Sequence, residues 1–188
     1  TGEGGSGTAN AIATDAGSHI VAVRNLIYDC DNAILTKGHA FVEAENNTIV
    51  GCTIAAVQLR ENRDNVLPGG ARLRNNIFWE NVVTFYAVEA ADSFSLDYSI
   101  APEAFHQFGV GNMEVLPGFV NAPADFTLRP DSSARGTGNN GIDMGYDVAR
   151  ALVVHGAPPS PTTAHGATLT VSGPGFTHYR YRLNAGGY

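Results

Sequence analysis

Lys37, His39, Arg60, Glu61, Arg63 and Asp64 are the residues whose types and spacing could do chemistry, gathered beside a Pro-Gly stretch, "DNVLPGG" (64–70). A side chain positioned there could move a proton as a general acid or base. A glycoside hydrolase would use two carboxylates about 5–10 Å apart, for which Glu61 with Asp64, or Glu43 with Glu45, are available. Asp29 and Asp31 flank Cys30. A calcium ion takes about six to eight oxygens, and the neighbouring Gly51 and Thr53 supply few, so no cofactor is expected and calcium at this pair is the one candidate. Asp143 and Asp147 in "GTGNNGIDMGYD" (136–147) read as turn and cap residues. Cys30 and Cys52 lack a histidine at zinc-ligand spacing, so no metal set is expected. No phosphate loop, nucleophile elbow or H-E-x-x-H helix is present.

What must position these residues is a repeat. "IVAVRNLIYDCDNAILTKG" (20–38) lies over "VEAENNTIVGCTIAAVQLR" (42–60) at an offset of 22, which places Asn25 over Asn47, Ile27 over Ile49 and Cys30 over Cys52. A third copy, "ARLRNNIFWEN" (71–81), fits at an offset of 29, with Asn76, Phe78 and Asn81 at those three positions. "SLDYSIAPE" (95–103) reads as a fourth, with Asp97 at the asparagine position. Inside each copy apolar and polar residues alternate and then break at asparagine. Alternation means a strand with one buried face, and a short period holding several strands means rungs that bury each other's apolar faces.

The expected fold is therefore all-β, a parallel solenoid with rungs of about 22 residues. Asparagine tolerates the left-handed backbone that a sharp bend requires, and its amide can bond to the rungs above and below. Asn25, Asn47 and Asn76 should form a ladder at one corner. Cys30 and Cys52 should form an inward stack of small side chains. At a spacing of about 4.8 Å a disulfide is within reach, but the reading is a free, buried pair. Outward Glu43 and Glu45 should lie beneath Arg72 and Arg74, as a solvated salt-bridge face or a track for a polymer. His39 should stack over Glu61. Trp79 follows inward Phe78 and should face outward, either stacking on sugar rings with Tyr86 or packing under a loop.

These features resemble the right-handed parallel β-helix, the pectate-lyase-like superfold: the 22-residue period and the corner asparagine of "RNLI", "NNTI" and "NNIF". "LPGFVNAPADFTLRPDSSARGTGNNGIDMGYD" (116–147) is similar to the closing rung of many secreted bacterial proteins of that family. The resemblance implies the fold and leaves activity open, because the superfold hosts lyases, hydrolases, adhesins and tail spikes. Its lyases use a basic residue to abstract a proton. Lys37, His39, Arg60 and Glu61 are the best candidates for such a site, but no catalytic motif is matched residue by residue and none is carried over.

Four segments follow: a flexible Gly/Ser-rich start (1–17), the β-helix (18–150), a Pro/Ser/Thr linker (151–166) and a C-terminal strand pair (167–188). The net charge of -7, with Lys37 the only lysine, argues against the extended basic face that nucleic acid requires, so no nucleic-acid partner is expected. No apolar run reaches the length of about 18 residues that spans a membrane. Few charges and many Asn, Gly, Ser and Thr fit an extracellular or cell-surface protein. Two functions are expected. One is a non-catalytic surface, adhesive or fibre-forming module that self-associates through sheet edges or its C-terminal strands, and contacts polysaccharide through Trp79, Tyr86, Arg72 and Arg74. The other is a polysaccharide lyase or glycoside hydrolase.

Overall fold

The structure, a computed structural model, describes residues 9–60, 66, 69–88, 91 and 93–146, together with the strands 153–155 and 170–172. The chain divides into two units, Thr1–Asp147 and Val148–Tyr188. In the first, short strands pass in turn through three parallel sheets. Sheet A holds β1 (Asn10–Thr14), β4 (Asn32–Lys37), β7 (Ala55–Arg60) and β10 (Phe85–Tyr86). Sheet B holds β2 (His19–Val23), β5 (Phe41–Glu45), β8 (Gly70–Arg74) and β11 (Ser93–Asp97). Sheet C holds β3 (Leu26–Tyr28), β6 (Thr48–Val50) and β9 (Ile77–Trp79). Each strand pairs with the one that precedes it by three in the chain, so every circuit of the three sheets lies on the last.

Alternation decides which residues face in. Ile12, Ile34, Val57 and Phe85 form one in-register column of sheet A. Ala22, Ala44, Leu73 and Leu96 form a column of sheet B, and Ile27, Ile49 and Phe78 one of sheet C. All three columns belong to one buried cluster. Phe78, Phe85 and Phe94, one from each sheet, meet edge to face, at 4.8 Å and 5.4 Å between successive rings. Edge-to-face pairs add to what their buried area already contributes. The 3-10 helix Glu103–Phe108 lays Phe105 against Phe85 and Phe108 against Phe94, at 4.8 Å and 5.0 Å.

The corners divide two tasks that the sequence reading assigned to one residue. The left-handed residue before sheet C is Arg24, Asn46, Asn75 or Tyr98, with φ between 47° and 55°. The ladder asparagine comes next and is free to turn its amide along the stack. At the corner between sheets C and A the left-handed residues are Asp29, Gly51 and Glu80.

Register departs from the repeat in two places. Asn32 pairs with Ala55, so the offset between β4 and β7 is 23 and Lys37 lies beside Arg60. The extra residue is taken up at the corner, where Ile54 N–H and Ala55 N–H both donate to Asp31 O. Asp97 does not take the asparagine position. It pairs with Arg74, and Ser99 stands over Asn76.

The first and last segments also differ from expectation. β1 lies inside the stretch read as a flexible start. Residues 116–146 do not form another parallel rung: β12 (Phe119–Asn121) and β13 (Asp125–Leu128) pair antiparallel. This segment packs on the outer side of sheet C, where Leu128, Ala134 and Met144 join Ile77 and Ile100 in a second buried cluster. It is tied down by corner residues. Asn46 Nδ2 donates to Asp143 O at 2.9 Å, and Asn139 N–H donates to Asn75 Oδ1 at 2.7 Å. Gly145 N–H donates to Asn75 O at 2.6 Å and Tyr146 N–H to Thr48 Oγ1 at 2.8 Å. A side chain at Gly145 would meet Ile77 Cδ1 at 2.5 Å and Thr48 Oγ1 at 2.6 Å, so glycine permits the close approach.

In the second unit β14 (Val153–His155), within the stretch read as a linker, pairs antiparallel with β15 (Thr170–Ser172). Of the C-terminal pair expected over 167–188, only Thr170–Ser172 lies among the described residues. No helix among the described residues is long and apolar enough to cross a membrane.

Candidate functional site

The ladder is built as the spacing predicts. Asn47 Oδ1 accepts from Asn25 N–H and from Asn25 Nδ2, and Asn76 Oδ1 accepts from Asn47 N–H and Asn47 Nδ2, all at 2.9 Å. Asn47 Nδ2 also reaches Ala22 O, and Asn76 Nδ2 reaches Ala44 O. The column continues where no asparagine repeat marks it. Asn76 N–H donates to Ser99 Oγ at 3.0 Å, and Ser99 N–H to Asn112 Oδ1 at 3.1 Å. Asn47 and Asn76 are fully buried, so these bonds satisfy amides that would otherwise cost free energy. A second, shorter amide pair, Asn32 Nδ2 to Asn10 Oδ1 at 2.8 Å, opens sheet A.

Cys30 and Cys52 form the neighbouring column, their sulfurs 3.4 Å apart and both free. Burial first, and then Cys30, pushes the Cys52 thiol up to about 12. Asn81 takes the third position, accepting from Cys52 N–H and donating to Ile49 O. Asp31 spends one carboxylate oxygen on Thr53 Oγ1 at 2.6 Å and the other on Ala9 N–H at 2.9 Å. The Thr53 bond, then the Ala9 bond, hold its carboxyl below the usual value. Among the described residues no three His, Cys, Asp or Glu side chains gather as a metal site.

Two outward faces carry the remaining candidates. On sheet A, Lys37 and Arg60 are register partners, as are Gln58 and Tyr86. Gln58 is two residues before Arg60 and shares its face. Tyr86 and Arg60 are exposed, Lys37 and Gln58 half-buried. Like charges side by side on a ladder repel, and an anion between them would relieve that repulsion. This face can hold an anionic group against an aromatic ring. It has no carboxylate pair among the described residues.

On sheet B, Glu43 lies between His19 and Arg72, at 3.3 Å and 3.6 Å, and His19 sits edge-on to Phe41. Arg72 stands over Glu43 and Arg74 over Glu45, the register the sequence predicts. Exposed ion pairs of this kind contribute under about 1 kcal/mol. Glu43 and Glu45 project side by side from one strand. They do not face each other across a cleft, so this is not the arrangement of a hydrolase pair.

The candidates therefore separate. Lys37, Arg60 and Tyr86 come together, Arg72 and Arg74 lie on another sheet, and Trp79 packs against the second buried cluster. Glu61, Arg63 and Asp64 lie outside the described residues, so the expected stack of His39 over Glu61 does too. Asn46, the acceptor of the sequon Asn46-Asn47-Thr48, is buried and bonded to Asp143 O. Sequence reasoning missed Gln58 and the pairing of Lys37 with Arg60, because both depend on the one-residue slip at Ile54. It missed Ser99 and Asn112 because a hydroxyl and a displaced amide do the work of the repeated asparagine. No family model matches the chain, and neither a curated protein nor a solved structure matches it.

Proposed function

We propose that the chain is a right-handed parallel β-helix acting as a non-catalytic extracellular module, a structural or adhesive component that holds acidic polysaccharide on the outer face of sheet A. The observation that carries the fold is the meeting of Phe78, Phe85 and Phe94, which makes the interior common to three sheets. Right-handed connection is the strong preference for parallel strands joined by crossovers. The reading of function rests on the face itself. Lys37, Arg60, Gln58 and Tyr86 supply two cations, an amide and a ring on adjacent strands about 4.8 Å apart. That fits a carboxylate-bearing sugar and one of its neighbours.

Lys37 beside Arg60 also favours a second reading, a polysaccharide lyase using one of them at the substrate. The two readings separate in one experiment. The purified chain is passed over immobilised pectate, alginate, chondroitin sulfate and a neutral glucan, and the soluble polymers are assayed for new reducing ends and for unsaturated product. Retention on an acidic polymer without product supports the module. Product formation supports the lyase, and neither retention nor product on any of them removes both.

A further inference from the structure

We propose that Cys30 and Cys52 are a modification site: a small-molecule disulfide enters at Cys30 and is displaced by Cys52, leaving a covalent cross-link between consecutive circuits. This inference is independent of the function proposed above. The sulfurs are 3.4 Å apart, and a disulfide needs about 2.05 Å with Cα atoms about 4.4–6.8 Å apart, a range that includes the strand spacing of about 4.8 Å. The backbone around the pair is fixed: Thr53 N–H donates to Cys30 O at 2.9 Å, and Cys52 N–H to Asn81 Oδ1 at 3.0 Å. Closure therefore requires side-chain rotation and leaves the stack in place. Asn81 fills the third place in the column, so no third thiol competes for either sulfur.

Exposure sets the order of events. Cys30 is partly open to solvent and Cys52 is fully buried, so the oxidant meets Cys30. The Cys30 thiolate attacks one sulfur of the small disulfide, forming a mixed disulfide and expelling one thiolate, which takes up a proton. The Cys52 thiolate then attacks the Cys30 sulfur, and the second small thiol leaves. Two protein thiols are oxidised and one external disulfide is reduced to two thiols. The nucleophile is the thiolate. Burial pushes the Cys52 thiol up, so the second step is the slow one and quickens as pH rises.

The test treats the full folded chain with hydroxyethyl disulfide, an uncharged probe, and follows intact mass and free thiols. The expected product has lost two hydrogens and releases a single peptide joining Cys30 to Cys52 on digestion without reductant. The Cys30 adduct appears first and converts faster at higher pH. Cys52→Ser stops at the adduct, and Cys30→Ser leaves Cys52 unreacted until denaturant is added. A persistent Cys30 adduct on the unaltered chain, a dimer linked through Cys30, or thiols that react only after unfolding would overturn the proposal, whether or not the variants fold.

Discussion

Asn47 Oδ1 accepts both the backbone N–H and the side-chain Nδ2 of Asn25, each at 2.9 Å. One side chain thus joins two circuits, and Asn76 Oδ1 does the same for the backbone N–H and Nδ2 of Asn47. Replacing Asn47 by leucine removes the acceptor and leaves the two half-buried donors of Asn25 unpaired. A cost of about 1–3 kcal/mol is expected, seen as a lower urea midpoint at unchanged m-value. An unchanged midpoint would count against the ladder.

The corner residues make an opposite prediction. Glu80 has φ 52° and is exposed, a conformation that costs a residue with a Cβ about 1–2 kcal/mol. Glu80→Gly should raise stability by about 0.5–1 kcal/mol once the entropy of a freer unfolded chain is subtracted. Glu45→Gly, in an extended strand, should lower it by a similar amount. Equal effects of the two changes in thermal melts would show that the left-handed corner is misplaced.

Asp31 predicts a pH dependence. Its folded carboxyl is held below the unfolded value, first by Thr53. The stabilisation is therefore present above the ordinary aspartate value of about 3.9 and disappears as pH falls through the lower folded value. Thr53→Val should melt below the parent at neutral pH, and the gap should close on acidification below about pH 4. A gap independent of pH would mean that the hydroxyl acts through packing alone.

The outer face of sheet A predicts selectivity among variants. Arg60→Ala and Tyr86→Ala should each weaken retention on an acidic polysaccharide about tenfold, the effect of losing one charge-assisted or stacking contact of about 1.4 kcal/mol. Arg72→Ala, on sheet B, should leave retention unchanged and cost under about 1 kcal/mol in stability. Loss of retention in Arg72→Ala alone would move the site to the other face.

The repeat was legible because Asn25, Asn47 and Asn76 recur among alternating apolar residues, and that pattern is enough to place them in one column. The same signal extends further upstream than composition suggests. "NAIAT" (10–14) lies in register with "NAILT" (32–36), yet it sits in a Gly/Ser/Thr-rich stretch whose composition reads as a tail. Ile54 was invisible for a different reason: a single extra residue at a corner changes neither the strands' character nor the cysteine column, yet it decides which residue lies beside Lys37. The docking of 137–146 onto Asn46 and Asn75 is long-range and has no period. The sequence marks it only by a second asparagine before Asn47 and Asn76. The face of Lys37, Gln58, Arg60 and Tyr86 inherits the same difficulty, since its members come from three strands and one of those registers had slipped.

The stacking of parallel circuits is tested most directly by NMR detection of scalar couplings across the ladder's hydrogen bonds. The ladder predicts couplings from the Asn25 amide nitrogen to the Asn47 side-chain carbonyl carbon, and from the Asn47 amide nitrogen to that of Asn76. Backbone amide contacts between β2 and β5 and between β5 and β8 should place Val42 beside Ile20 and Ala71. Couplings that instead join these asparagines to distant partners, or antiparallel contacts between β2 and β5, would contradict the stacked parallel circuits.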